Sequence, residues 1–175
     1  MIRVSKVLTA MTDDFECRYG FPPGANEVRS ADDDDQAAAR LLGQVSRAPA
    51  DLITFYDSIG QVSWEDVGNG YFVAPAGDVL LQLSEYGDVE VGVDEKARGL
   101  LIGSTGDGQS YVAGPGGAVY RTRTASLDEP DLDRVADDLQ QFLERLEQVL
   151  TRFVANGEPG NLWQPTPTPH CVSRC

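Results

Sequence analysis

Apolar residues recur along this chain with two different periods. Leu52, Ile53, Phe55, Tyr56 and Ile59 follow Ala48-Pro49-Ala50-Asp51 at helical spacing, and proline suits a first helical turn because its missing N–H would be unpaired there. Gly60 is expected to end that helix in a left-handed conformation. Pro75-Ala76-Gly77-Asp78 opens a second such pattern, with Val79, Leu80, Leu83 and Tyr86 on one face and Gly87 closing it. The longest pattern runs through Leu132, Val135, Leu139, Phe142, Leu146, Val149 and Phe153. It predicts one continuous helix that begins at Ser126, uses Ser126 and Glu129 as a capping box with Pro130 in its first turn, and stops at Asn156-Gly157. Its near-heptad spacing would also suit a coiled coil, but packing on a sheet is the reading adopted here.

Between these helices the period shortens. Arg98 to Arg123 reads as three short strands: Leu100 to Ile102, Tyr111 to Ala113, and Val119-Tyr120. Gly103, Gly106 and Gly108 punctuate the first break, and Gly114-Pro115-Gly116-Gly117 makes the second. Val62 to Trp64 and Tyr71 to Val73 flank a turn at Gly68-Asn69-Gly70. Val89, Val91 and Val93 alternate with Glu90 and Gly92, as in a half-exposed edge strand. Asp32 to Asp35 precede Gln36 to Leu42 and read as the solvated start of a helix, since consecutive aspartates do not converge on one ion. The order of elements predicts a single α+β domain, a mainly antiparallel twisted sheet flanked by helices. Residues 1–31 are assigned to a variable N-terminal extension, in which Ile2, Val4 and Val7-Leu8 suit either a strand or a frayed helix. Residues 32–155 form the domain, and 156–175 a proline-rich, flexible tail.

Charge narrows the function. The chain holds 28 acids against 14 bases, a net charge of −14. Such a surface repels nucleic acid and anionic membranes, and it attracts basic partners over long range. Solubility or salt adaptation would produce the same acidity. No apolar run approaches membrane-span or signal-peptide length, and the odd cysteine count (Cys17, Cys171, Cys175) suits a reducing compartment, so a cytoplasmic protein is expected.

Candidate chemistry is sparse. The one histidine, His170, lies in the tail, so a Ser/His/Asp or Cys/His catalytic set would rest on that segment. His170, Cys171 and Cys175 fall one short of a four-ligand zinc site. Gly103 to Gly108 lacks the Gly-Lys-Ser/Thr ending of a phosphate loop and carries Asp107, so it is read as a strand connection. No catalytic residue, cofactor or metal is nominated. Thr166, Thr168 and Ser173 beside Cys171 and Cys175 also resemble the end of a thioether-bridged peptide precursor.

Three patches carry a family resemblance. They are Pro49 to Gly60, a proline-initiated helix with aromatic and aliphatic positions; Leu100 to Tyr111, an apolar strand, glycine-rich turn and returning aromatic strand; and Val135 to Leu146 in the closing helix. From about Asp35 to Phe153 the chain resembles the SUKH superfamily, whose bacterial members are mostly immunity proteins of polymorphic toxin systems and whose fungal members are regulators. The resemblance implies a non-enzymatic α+β domain that binds one cognate toxin, often a nuclease, or alternatively a regulatory interaction module of the same fold. Acids concentrate in two stretches, Gln61 to Arg98 and Ser126 to Leu150, each with eight acids against two bases. The nominated partner-binding residues are Glu65, Asp66, Asp88, Glu90, Asp94 and Glu95, with Trp64 and Tyr71 as aromatic anchors. The competing reading puts both aromatics in the core and the acids on a solvated face.

Overall fold

The computed structural model of the protein describes residues 2–45, 48–91, 97–127 and 131–159. Among them are five helices and an eight-stranded antiparallel sheet. The elements run α1 (Ile2–Tyr19), β1 (Asn26–Ser30), α2 (Asp33–Val45), α3 (Ala50–Ser58), β2 (Ile59–Trp64), β3 (Tyr71–Val73), α4 (Ala76–Tyr86) and β4 (Val89–Glu90). They continue with β5 (Arg98–Thr105), β6 (Ser110–Ala113), β7 (Val119–Thr122), β8 (Leu132–Ala136) and α5 (Leu139–Asn156). The α+β class and the antiparallel sheet expected from the sequence are what the structure shows.

The sheet order is β1-β2-β3-β5-β6-β7-β8, with β4 also paired to β5. Strand β5 is central. It pairs with β3 through Val73–Gly103, with β4 through Val89–Gly99, and with β6 through Leu100–Ala113. The glycine-rich stretch is therefore the β5–β6 hairpin, closed by the Thr105 amide donating to the Gln109 carbonyl at 2.8 Å. Its glycines answer to close approach. A Cβ on Gly103 would run into the Phe72 carbonyl oxygen, and one on Gly106 into that of Asn69. Any side chain there would force β3 and the β2–β3 loop away from β5.

Helix α5 buries Leu139, Phe142, Leu146, Val149, Leu150 and Phe153, the stripe its spacing predicts. Phe142 packs edge-on against Tyr111 of β6, ring centroids 4.9 Å apart. Helix α4 ends as expected at Gly87, φ 77°, but Tyr86 is 83% exposed and does not belong to its apolar face.

Four expectations are corrected. The long helix does not begin at Ser126. Leu132–Ala136 is strand β8, paired with β7 through Tyr120–Arg134, and this pairing carries Val135 and Ala136 into the core. The cap moves to Asp138, whose carboxylate accepts from the Gln141 amide at 2.7 Å, while Gln141 Oε1 accepts from the Asp137 amide at 2.8 Å. Glu129 and Pro130 of the expected cap lie outside the described residues.

Gly60 does not stop α3 in a left-handed turn. The helix passes directly into β2 through Ile59 (φ −121°), and Gly60 is a strand residue. A Cβ there would sit 2.5 Å from Asp35 Oδ2 and 2.6 Å from the Arg29 guanidinium. The glycine is needed for what lies over it.

The third correction concerns Asp35, which is not solvated. It is buried and forks onto Arg29, with Nη1 donating to Oδ2 at 2.5 Å and Nη2 to Oδ1 at 2.9 Å. Asp32 and Asp35 also cap α2 reciprocally. The Asp35 amide donates to Asp32 Oδ1 at 2.9 Å, and the Asp32 amide to Asp35 Oδ2 at 3.1 Å.

Finally, residues 2–30 are built into the fold. Helix α1 buries Leu8, Met11 and Phe15 and packs on β1 and α5, and β1 pairs with β2 along Asn26–Trp64 to Ser30–Ile59.

Candidate binding surface

Of the nominated residues, Trp64, Glu65, Asp66 and Tyr71 gather at one end of the β2–β3 pair. Trp64 is 3% exposed and belongs to the core. Tyr71 is half-buried, and burial, reinforced by Asp107, raises its hydroxyl pKa. Glu65 and Asp66 fasten the segment before β1. Glu65 Oε2 accepts from the Ala25 amide at 2.9 Å, and Asp66 Oδ2 accepts from the Gly24 amide at 2.7 Å and from Asn26 Nδ2 at 2.5 Å. These carboxylates are committed to holding the chain.

Asp88 and Glu90 are exposed at the opposite end of β5. Tyr71 pairs with Thr105 and Glu90 with Arg98, so the two groups stand about 24 Å apart at ~3.4 Å per residue. Arg98 Nη1 stands 3.8 Å from Asp88 Oδ1. Asp94 and Glu95 lie outside the described residues, as do His170, Cys171 and Cys175. The structure does not bring the nominated set into one patch.

It shows a cleft instead, of about 460 Å³, between α3 and α5. Ile59, Val62 and Trp64 of β2 line it together with Val28 of β1 and Val4 of α1. Phe55 of α3 and Leu139, Leu143 and Leu146 of α5 complete the apolar lining. Polar side chains follow the two helices in rows. Asp51, Thr54 and Ser58 form one lip and Gln140, Glu144 and Glu147 the other, and among the described residues no lysine or arginine lines the cleft. Each row follows the spacing of a single helix face. Asp51, Thr54, Ser58, Gln140 and Glu144 are all exposed, so the cleft opens to solvent between them.

The indole N–H of Trp64 is buried with no hydrogen-bond partner among the described residues. Most buried donors are paired; this one is enclosed in the core, on a side chain that also lines the cleft. Sequence reasoning picked Trp64 for its residue type but missed the cleft. One lip was visible as the row Asp51, Thr54, Ser58, but Val4 and Val28 fell in the supposed extension.

Among the described residues no three His, Cys, Asp or Glu side chains form a metal-binding group, and no helix is long and apolar enough to cross a membrane. Comparison with protein-family models and with curated proteins finds no match to this chain.

Proposed function

We propose that this protein is an immunity protein of the SUKH kind, neutralising a basic toxin domain in the cytoplasm by one-to-one binding and without catalysis. The observation that carries the proposal is the α3–α5 cleft, an apolar groove whose charged lining, among the described residues, is all carboxylate. An apolar centre within an acidic rim is the complement of an apolar anchor on a basic surface. Toxins that act on nucleic acid are basic because they must grip phosphates. The net charge of −14 would speed the encounter, and the apolar cleft would set how long the complex lasts.

The test is calorimetric titration of the toxin domain encoded beside this gene, at low and at high salt, with survival of cells co-expressing both. Binding at one-to-one stoichiometry that weakens with salt, together with restored growth, is expected. A toxin domain that neither binds nor is neutralised would end the proposal.

A further inference from the structure

We infer that the α3–α5 cleft seats a short apolar segment of a protein partner, flanked on that partner by lysine or arginine, against the indole of Trp64 on its floor. The inference deepens the immunity reading and rests on it for the identity of the partner. The chemistry of the cleft stands independently.

The size of the groove sets the length of the occupant. Asp51 to Ser58 and Gln140 to Glu147 are each eight residues of helix, about 10 Å from first to last at ~1.5 Å per residue. That length admits two helical turns or three extended residues, and the volume of about 460 Å³ admits their apolar side chains. The floor supplies Val62 and Trp64, and the α5 wall Leu143 and Leu146. An occupant burying these gains hydrophobic contact along the whole groove.

Charge selects what flanks it. Asp51 stands on one lip and Glu144 on the other, both exposed. An apolar segment flanked by carboxylates would be repelled at both lips, and one flanked by lysine or arginine would be held at both. Trp64 reports on the occupant. Its ring lines the floor, so an occupant lying along the groove would change the surroundings of the indole.

The chain's own residues 160–175 contain Leu162 and Trp163 and are the competing occupant. They carry one arginine and no lysine, which meets the acidic lips less well than a basic partner segment would.

The experiment uses the full chain carrying Trp163→Phe, so that Trp64 is the single tryptophan. The probe is a twelve-residue peptide with leucine at i, i+3, i+4 and i+7 and lysine at both ends, and its counterpart has glutamate in place of lysine. Trp64 fluorescence and the NMR shift of its indole proton report binding. The lysine peptide is expected to saturate both signals, with the glutamate peptide at least tenfold weaker. Gln140→Lys/Glu144→Lys alters only exposed side chains and leaves the chain strongly acidic. It is expected to weaken the lysine peptide more than tenfold, and circular dichroism will show that it folds. Equal binding of the two peptides, no binding of either, or binding indifferent to the charge reversal would overturn the inference. So would a chain ending at residue 159 that binds the lysine peptide tenfold more tightly, since the cleft would then belong to the tail. A toxin that binds the charge-reversed variant unchanged would keep the immunity reading and remove the cleft from it. Peptide binding without toxin binding would do the reverse.

Discussion

At the β1 edge of the sheet, Arg29 reaches from the strand to Asp35 at the start of α2, and the fork lies directly over Gly60 of β2. At the β8 edge, Arg123 reaches from the end of β7 to Asp131 at 2.6 Å and Asp133 at 2.7 Å. Both are arginines clamped by carboxylates at an outer strand. They differ in what surrounds them. Asp35 is 8% exposed, and its carboxylate also accepts from the Asp32 amide, so one group holds an edge strand, a helix start and the β2 backbone together. Arg123, Asp131 and Asp133 all stand in solvent, with side chains 55%, 62% and 41% exposed. The Arg29 side chain is itself 35% exposed, so the same chemistry should stabilise the β1 edge more than the β8 edge because water and salt screen an exposed pair more than a part-buried one.

The largest effect is expected from Asp35→Ala. Among the described residues it leaves the Arg29 guanidinium only its 3.4 Å contacts to Asp32 Oδ2 and the Ser30 carbonyl, removes half of the α2 capping box and opens a gap over Gly60. A loss of roughly 1–3 kcal/mol follows from breaking a part-buried pair together with a cap. Urea unfolding measures it. An equal loss from Asp133→Ala would erase the contrast between the edges.

Gly60→Ala comes next. Its new Cβ would meet the tips of Asp35 and Arg29 rather than backbone, so the clamp would shift, at a cost of about 1–2 kcal/mol. The two substitutions share one contact and should not add. In an Asp35→Ala background the cost of Gly60→Ala should fall, and strict additivity in a double-mutant cycle would show that the clamp is not what Gly60 accommodates.

How much of this was legible depended on whether the signal was local. The β5–β6 hairpin was readable because a strand, a glycine turn and an aromatic return lie within Leu100 to Tyr111. The apolar stripe of α5 was readable because Leu139 to Phe153 repeats for four turns. The β1 edge was not. Val4, Leu8, Met11 and Phe15 do keep helical spacing, but Ile2, Val4 and Val7-Leu8 alone suited a strand as well as a frayed helix, and only the folded chain shows Asp13 and Glu16 on the exposed face. Strand β8 failed for a related reason. Leu132 and Val135 happen to fit the period of the helix that follows, and only their pairing with β7, a contact distant in sequence from that helix, assigns them to the sheet. The cleft was the least legible feature, since its lining comes from α1, β1, β2, α3 and α5, and no window of sequence contains it.

Acid should separate the two edges as well. Hydrogen bonding to Arg29 holds the Asp35 carboxyl below its ordinary value, outweighing the opposing effect of burial. The folded state then binds fewer protons than the unfolded chain near pH 4, and stability rises with pH there. The contribution of Asp35 is complete above its unfolded pKa of about 3.9 and is lost as pH falls through its lower folded value. Asp35→Asn should flatten the acid limb of a stability-against-pH curve measured from pH 2 to 5. Asp133 is lowered too, by Arg123, but its exposure screens the effect, and Asp133→Asn should change the limb less. A larger flattening from Asp133→Asn would reverse the assignment of the acid-sensitive edge.

The smallest effect is expected at Arg123 itself. Asp131 and Asp133 raise its already high pKa further, so it stays charged throughout the range in which the protein folds, and no pH dependence can arise from its own titration. Its stem is exposed, and Arg123→Met should leave the unfolding midpoint unchanged within error at moderate salt. The edge itself is held by the backbone ladder, in which the Arg123 amide donates to the Asp131 carbonyl at 2.9 Å whatever the side chain is. Any small loss seen at low ionic strength should vanish as salt rises, while the loss from Asp35→Ala should persist. A loss from Arg123→Met that survives high salt would mean the exposed clamp acts through packing of its stem, and the contrast between the edges would then rest on burial of carbon rather than of charge.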